Sequence, residues 1–198
     1  MMAISSVGGY AGMQYPNGYQ TRRADNNGTA ADSFQQQVSR AASHGDVLTL
    51  HGECEEGERR VTAWADNVNG TSMSVYEPKG FDPQNPVYKV KVWDKDGTMT
   101  EHMVDISKLD PKKCNTIEMY AYSAHLSATG ECPDALTKFM MANAHQRDSM
   151  GKDSSYEDLL RDVDWISVVR DAMALQYRVG NIEGYLGYKT FLEALEKE

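Results

Sequence analysis

The chain has 198 residues, a net charge of −9 and an apolar fraction of 40%, which fits a soluble globular protein large enough to bury a core. The charge is uneven, because residues 1–45 carry three arginines against two aspartates and the acidic excess belongs to residues 46–198. An acidic body repels phosphate, so we expect neither nucleic acid nor an anionic membrane surface as its main partner. No apolar run reaches bilayer length, so we also expect no membrane span.

Residues 1–45 are predicted to form a flexible, mostly disordered leader. They are rich in Gly, Ser, Asn, Gln and Ala and offer too little apolar surface to offset the entropy of ordering. Only residues 33–39 have the pattern of a short amphipathic turn. Unstructured leaders of this composition resemble the N-termini of flagellar and type III exported proteins, so an export address is the alternative to a plain flexible leader.

The cysteine usage indicates a reducing compartment. Cys54, Cys114 and Cys132 are odd in number and widely spaced, which makes a poor disulfide framework. Cys54 lies among glutamates whose negative charge disfavours a thiolate, so we do not expect a nucleophile there. The N-terminus lacks the basic and apolar segments of an ordinary signal peptide. We therefore expect a cytoplasmic protein, or one exported by a signal-peptide-independent route.

Strand patterns fill residues 46–106 and predict a small antiparallel sheet built from β-hairpins. The candidate strands are residues 47–50, 60–64, 72–76, 87–93 and 98–106. In the fourth of these, Tyr88, Val90 and Val92 alternate with Lys89 and Lys91, which predicts one buried and one polar face.

The turn after this strand contains the sequence Asp-Lys-Asp-Gly-Thr at residues 94–98. The same sequence opens the site of haloacid-dehalogenase-type phosphatases, in which the first aspartate attacks phosphorus and the second protonates the leaving group. That motif follows a buried parallel strand, however, whereas an alternating strand precedes it here. The pattern therefore favours a hairpin turn over a phosphatase site.

Helical periodicity replaces the strand pattern after Ile106 and predicts a C-terminal helical layer over residues 107–198. Strands followed by helices indicate an α+β fold, and we expect residues 46–198 to form a single domain. Two central helices are joined by the Gly-Glu-Cys-Pro break at residues 130–133. Caps are predicted at Ser155 and Asp164.

A ridge of small residues on the first central helix is expected to pack against an apolar stripe on the second. The ridge consists of Ala121, Ala124 and Ala128, and the stripe of Leu136, Phe139 and Met140. Lys138 is expected on the opposite face of the second helix.

Five polar residues of the helix pair are the candidate site residues: Glu118, His125, Asn143, His145 and Arg147. Glu118 is two turns from His125, and a carboxylate beside a histidine can tune a general base or simply satisfy a half-buried ring. Asn143 and Arg147 fall on the apolar face of their helix, which indicates either a polar network that fixes helix register or a pocket lining.

The sequence predicts no metal and no cofactor. His125, Cys132 and His145, with Cys114 nearby, are donor types that zinc accepts, but their spacings fit no paired ligand pattern.

Three motifs in residues 76–151 carry a resemblance to a known family. They are Tyr-Glu-Pro-x-x-Phe-Asp-Pro-x-Asn-Pro-Val-Tyr-Lys-Val-Lys-Val-Trp-Asp, then Glu-Met-Tyr-Ala-Tyr-Ser-Ala-His-Leu, then Met-Met-Ala-Asn-Ala-His-Gln-Arg-Asp. The block resembles an uncharacterised family of short proteins from Gram-positive gut anaerobes. The resemblance implies one folded unit after residue 45 and carries over no activity, ligand or site residue.

Two functions stay open at this point. The first is a non-enzymatic structural or protein-interaction protein, associated with a surface or export assembly, for which a protein partner or self-association would be needed. The second is a small hydrolase-like or ligand-binding domain with a polar site on the central helix pair. The chain shows no nucleophile–base pattern, which leans against an enzyme.

Overall fold

A computed structural model describes residues 54–65, 70–150 and 155–197. These residues form a four-stranded antiparallel sheet followed by a C-terminal helical region, so the predicted α+β class is confirmed. The predicted leader at residues 1–45 and the strand candidate at residues 47–50 lie outside the described residues.

The sheet is a meander in which each strand pairs with the next, in the order β1-β2-β3-β4. The strands are β1 (Arg59–Ala65), β2 (Ser72–Glu77), β3 (Val87–Trp93) and β4 (Met99–Asp105). Asp94-Lys95-Asp96-Gly97 turns the chain between β3 and β4, where Gly97 has a φ of +84° and donates its amide to the Asp94 carbonyl at 2.8 Å. The prediction of a hairpin turn is confirmed. The motif therefore ends an antiparallel strand, unlike its position in the phosphatases.

One face of β3 is apolar, as its alternation predicts, and the other face is covered by a short preceding segment. Tyr88, Val90 and Val92 belong to the core. On the opposite face, Lys91 is buried as well, because the carboxylate of Glu55 lies 2.8 Å from its ammonium group. Glu58, whose side chain is also buried, lies 2.5 Å from the neighbouring Lys89. The polar face is thus closed by ion pairs rather than left to solvent.

A short 3-10 turn (Ile106–Lys108) leads from the sheet into five helices of the described chain. They are α1 (Thr116–Thr129), α2 (Ala135–Met150), α3 (Tyr156–Leu159), α4 (Trp165–Arg178) and α5 (Ile182–Leu195). Asn115 and Glu118 form a reciprocal capping box at the start of α1, and Ser155 caps α3 with Asp158 in the same way. Asp164 caps α4, so both predicted caps are confirmed.

Helix α1 lies over the sheet and contacts all four strands as well as α2. Ala121 and Ala124 are fully buried in the resulting core, beside Phe139 of α2. The prediction is wrong for Ala128, which is exposed because the last turn of α1 extends past its covering elements. Lys138 is only partly exposed and is not on a bare face, since its ammonium group lies 5.4 Å from the ring centroid of Tyr188.

The start of α4 docks against the residues that precede α1. Val163 donates its amide to the Cys114 carbonyl at 3.0 Å, and the indole Nε1 of Trp165 donates to the same carbonyl at 3.2 Å. Trp165 is completely buried and lies against Phe139, with ring centroids 5.0 Å apart. This contact fixes residues 158–164 beside α1 and α2.

Candidate binding cavity

A cavity of about 330 Å³ lies where the start of α1, the second half of α2 and residues 158–168 meet. A volume of this size is at the lower end of the range for small-molecule sites. Leu159, Val163 and Val168 supply apolar wall, and polar side chains supply the rest. The cavity is therefore amphipathic, which suits a small ligand with both polar and apolar parts.

Two buried polar side chains line this cavity. Asn143 is 4% exposed and Thr116 is 5% exposed. Buried polar groups are nearly always hydrogen-bonded, and leaving one unsatisfied costs about 1–3 kcal/mol. The Asn143 amide and the Thr116 hydroxyl are therefore the buried polar groups that a molecule in the cavity would meet.

Charged groups surround these two residues at different depths. Arg147 is half-buried on α2, one turn beyond Asn143, and lines the same cavity. Arg161 and Asp158 form an ion pair at 3.1 Å, and the Arg161 side chain is mostly exposed. Asp162 is exposed and also lines the cavity, so the opening carries charges of both signs.

Asp164 borders the cavity, but its carboxylate is committed to the start of α4. Its Oδ1 accepts the Ser167 amide at 3.1 Å, and its Oδ2 accepts the Ser167 hydroxyl at 2.7 Å. Partial burial acts to raise the pKa of Asp164, but these hydrogen bonds outweigh burial, and the pKa is lowered. The carboxylate is therefore charged at neutral pH and serves the helix rather than a ligand.

The structure brings Asn143 and Arg147 together and places the other three sequence candidates elsewhere. Glu118 is part of the α1 capping box, where its carboxylate accepts the Asn115 amide at 2.9 Å. His125 lies against the sheet, with its Nδ1 3.1 Å from the Tyr88 hydroxyl, and burial lowers its pKa. His145 is exposed on α2 and does not line the cavity.

Sequence reasoning missed Thr116 and the wall formed by residues 158–164. Thr116 is the first residue of α1, where a threonine is usually read as part of the helix start. The charged run at residues 161–164 (Arg-Asp-Val-Asp) was a detectable signal, but nothing in its spacing shows that it folds back onto α2.

Two other hollows on the described surface are not lined by buried polar side chains. One, of about 530 Å³, lies between residues 109–112 and the end of α5, where Arg170 and Glu196 form an exposed ion pair. The other, of about 250 Å³, is bordered by Lys108, which pairs with Asp105 at 2.6 Å, and by the capping residue Glu118. The cavity beside α1 and α2 differs from both hollows in its buried polar lining.

Among the described residues, no three His, Cys, Asp and Glu side chains form a group that could hold a metal ion. Burial raises the pKa of the Cys114 thiol to about 12, so it is a poor source of thiolate. Cys132 is also buried, with a raised pKa, whereas Cys54 is exposed.

No protein-family model, curated protein or solved structure matches the chain. The resemblance in residues 76–151 therefore remains a prediction. Within the described ranges, no helix is both long and apolar enough to cross a membrane. Any assignment of function thus depends on the cavity and surfaces of the described structure.

Proposed function

We propose that the protein is a binding domain for a small zwitterion such as a free amino acid, which it holds without covalent chemistry in the cavity between α1, α2 and α4. The observation that carries the proposal is the pair of buried polar side chains, Asn143 and Thr116, that line the cavity. This proposal is the second of the two functions that the sequence leaves open.

The polar groups lie at different depths in the cavity, which favours a zwitterion whose carboxylate is at the buried end. Thr116 and Asn143 offer a hydroxyl and an amide donor at the buried end, and Arg147 adds a guanidinium beside them. A carboxylate is an acceptor that all three can bind. Asp162 at the exposed end would bind the ammonium group. The apolar wall would contact an aliphatic side chain.

The expected affinity is modest. A free amino acid has few atoms, and small ligands gain at most about 1.5 kcal/mol per non-hydrogen atom before ordering costs. We expect dissociation constants between about 1 µM and 1 mM, which correspond to about 8 and 4 kcal/mol.

The test is a thermal-shift screen of free amino acids on the full chain, followed by isothermal titration calorimetry. Asn143→Leu should abolish binding, and it should leave the unliganded protein about as stable or more stable, because it replaces a buried polar amide by an apolar group of similar size. His145→Ala is the matched control on the same helix, since His145 is exposed and outside the cavity.

A second experiment tests the predicted contact between Asp162 and the ammonium group of the ligand. Asp162→Asn should weaken the binding of amino acids while leaving the binding of simple carboxylates, such as isobutyrate, unchanged. Equal affinity of wild type for valine and for isovalerate, which is valine without its ammonium group, would contradict the ammonium contact. The absence of any zwitterion-dependent shift at millimolar concentration, or binding that survives Asn143→Leu, would overturn the proposed function and leave water as the occupant of the cavity.

Protein interaction, the other function left open by the sequence, is favoured by a different observation. Eight large apolar side chains are exposed on the described surface, and four of them lie around the turn between α4 and α5. The association with a surface or export assembly depends on the leader, which lies outside the described residues, and remains a prediction.

A further inference from the structure

The last two helices form a hairpin of which only one half is buried in the body of the protein. The first half of α4 contributes Trp165, Ile166 and Val169 to the core, and the second half of α5 contributes residues from Tyr188 onward. Residues 173–187, the hairpin tip, contain no buried residue. The middle of the tip is therefore uncovered by the body, whereas Met173 at one end packs against the core and Gly187 at the other end lies beside Lys138.

The hairpin tip exposes a cluster of large apolar side chains. Tyr177 and Val179 are 65% and 67% exposed, and Ile182 and Leu186 are 54% and 53% exposed. The Tyr177 ring centroid lies 5.7 Å from that of Tyr185, which brings aromatic side chains of α4 and α5 together at the tip. Isolated exposed apolar residues are normal on protein surfaces, but four on one short helical hairpin favour an interaction site.

Local hydrogen bonds hold the tip in one conformation. The Asn181 side chain donates to the Gln176 side-chain carbonyl at 2.7 Å and accepts the Gly184 amide at 3.0 Å. Gly180 ends α4 in the left-handed conformation, with a φ of +75°. A surface that is already ordered loses little entropy on association.

The charge of the hairpin tip favours a second copy of this chain as its binding partner. Within residues 173–187 the only charged side chains are Arg178 and Glu183, so the tip is neutral in a chain whose net charge is −9. Two copies of an acidic protein repel each other over most of their surface but not here. Because a two-fold interface makes each contact twice, an axis that passes between Arg178 and Glu183 would pair each of them with its opposite charge on the other copy.

We propose that the protein forms a reversible dimer in which the hairpin tips of two copies pack together into a four-helix arrangement. The tip has 15 residues, fewer than the roughly 20–30 residues per partner of a standard stable interface, so the dimer is weak and depends on concentration. The proposal does not rest on the zwitterion cavity, which lies beside the buried half of the hairpin.

Sedimentation velocity of the full chain over two decades of concentration should show a monomer–dimer equilibrium. Ile182→Ser should weaken dimerisation about tenfold or more, as expected for a central apolar contact. Its control is Met103→Ser, because Met103 is a comparably exposed apolar residue on β4, away from the tip. Both changes are at exposed positions, and an unchanged far-ultraviolet circular dichroism spectrum would show that each variant folds.

A charge exchange tests the two-fold geometry. Arg178→Glu and Glu183→Arg should each weaken the dimer, and the double exchange should restore it. Three results would each overturn the proposal. They are a chain that stays monomeric at every concentration, a dimer whose affinity is unchanged by Ile182→Ser, and a double exchange that does not restore dimerisation. The last result would indicate a contact between copies with a different geometry.

Discussion

Enlarging Ala124 should destabilise the protein far more than enlarging Ala128 on the same helix. Ala124 is 1% exposed in the core, whereas Ala128, one turn later, is exposed. Replacing either by leucine adds the same three carbons and changes helix propensity equally and little. The difference between the two variants therefore measures packing alone.

The expected loss of folding stability in Ala124→Leu follows from the burial of Ala124 in the core. Extra carbons in a well-packed core force side chains off their rotamers and shift the backbone, at a cost of about 1–3 kcal/mol. For a domain of this size each kcal/mol lowers the melting temperature by about 3–5 °C. Ala128→Leu should stay within about 0.5 kcal/mol of wild type, as surface changes do.

Urea denaturation followed by tryptophan fluorescence would measure both variants, because the buried Trp165 reports on the core that contains Ala124. The midpoint should fall clearly for Ala124→Leu with an unchanged slope. Equal midpoints for the two variants would refute the packing of α1 against the sheet and α2.

Three further predictions concern other elements. Burial lowers the folded-state pKa of His102 and His125, so below about pH 6.5 the unfolded chain binds more protons than the folded chain. The melting temperature should therefore fall as the pH drops from 7 towards 5. His125→Gln should remove part of this fall. Of the three cysteines, only Cys54 should react rapidly with a thiol reagent in the folded protein, and all three should react in denaturant. Gly97→Ala should cost about 1 kcal/mol in chemical denaturation, since the added carbon meets no atom within 4 Å and only backbone strain opposes it, while Gly97→Asn should cost less.

The sheet and the helix starts were predictable from the sequence because their causes are local. Alternation in Val87–Trp93 and the Asp-Gly turn chemistry determine the third and fourth strands without reference to distant residues. The caps at Ser155 and Asp164 depend on a side chain and an amide three residues apart. The burial of Lys91 was not predictable, because it depends on glutamates that precede the first strand.

The cavity was predictable only in part. Asn143 and Arg147 stand out because polar residues interrupt an apolar helical stripe, and such interruptions need a partner or a cavity. Thr116 and Asp162 carry no comparable signal, since they meet α2 only after α4 has docked. Helical periodicity shows which face is covered, but it does not show what covers it.

The docking of Trp165 onto the Cys114 carbonyl has a consequence for the order in which the chain folds. Adjacent strands of the meander and the two antiparallel helices α4 and α5 pair residues that are near in sequence, so each unit can form early at little entropic cost. The Trp165–Cys114 hydrogen bond joins residues 51 positions apart and must close the whole α1–α2 segment into a loop. We expect this closure to form late, so that changes at Trp165 accelerate unfolding more than they slow folding. The cavity, which needs the closed loop for one of its walls, would then be among the last features of the molecule to form.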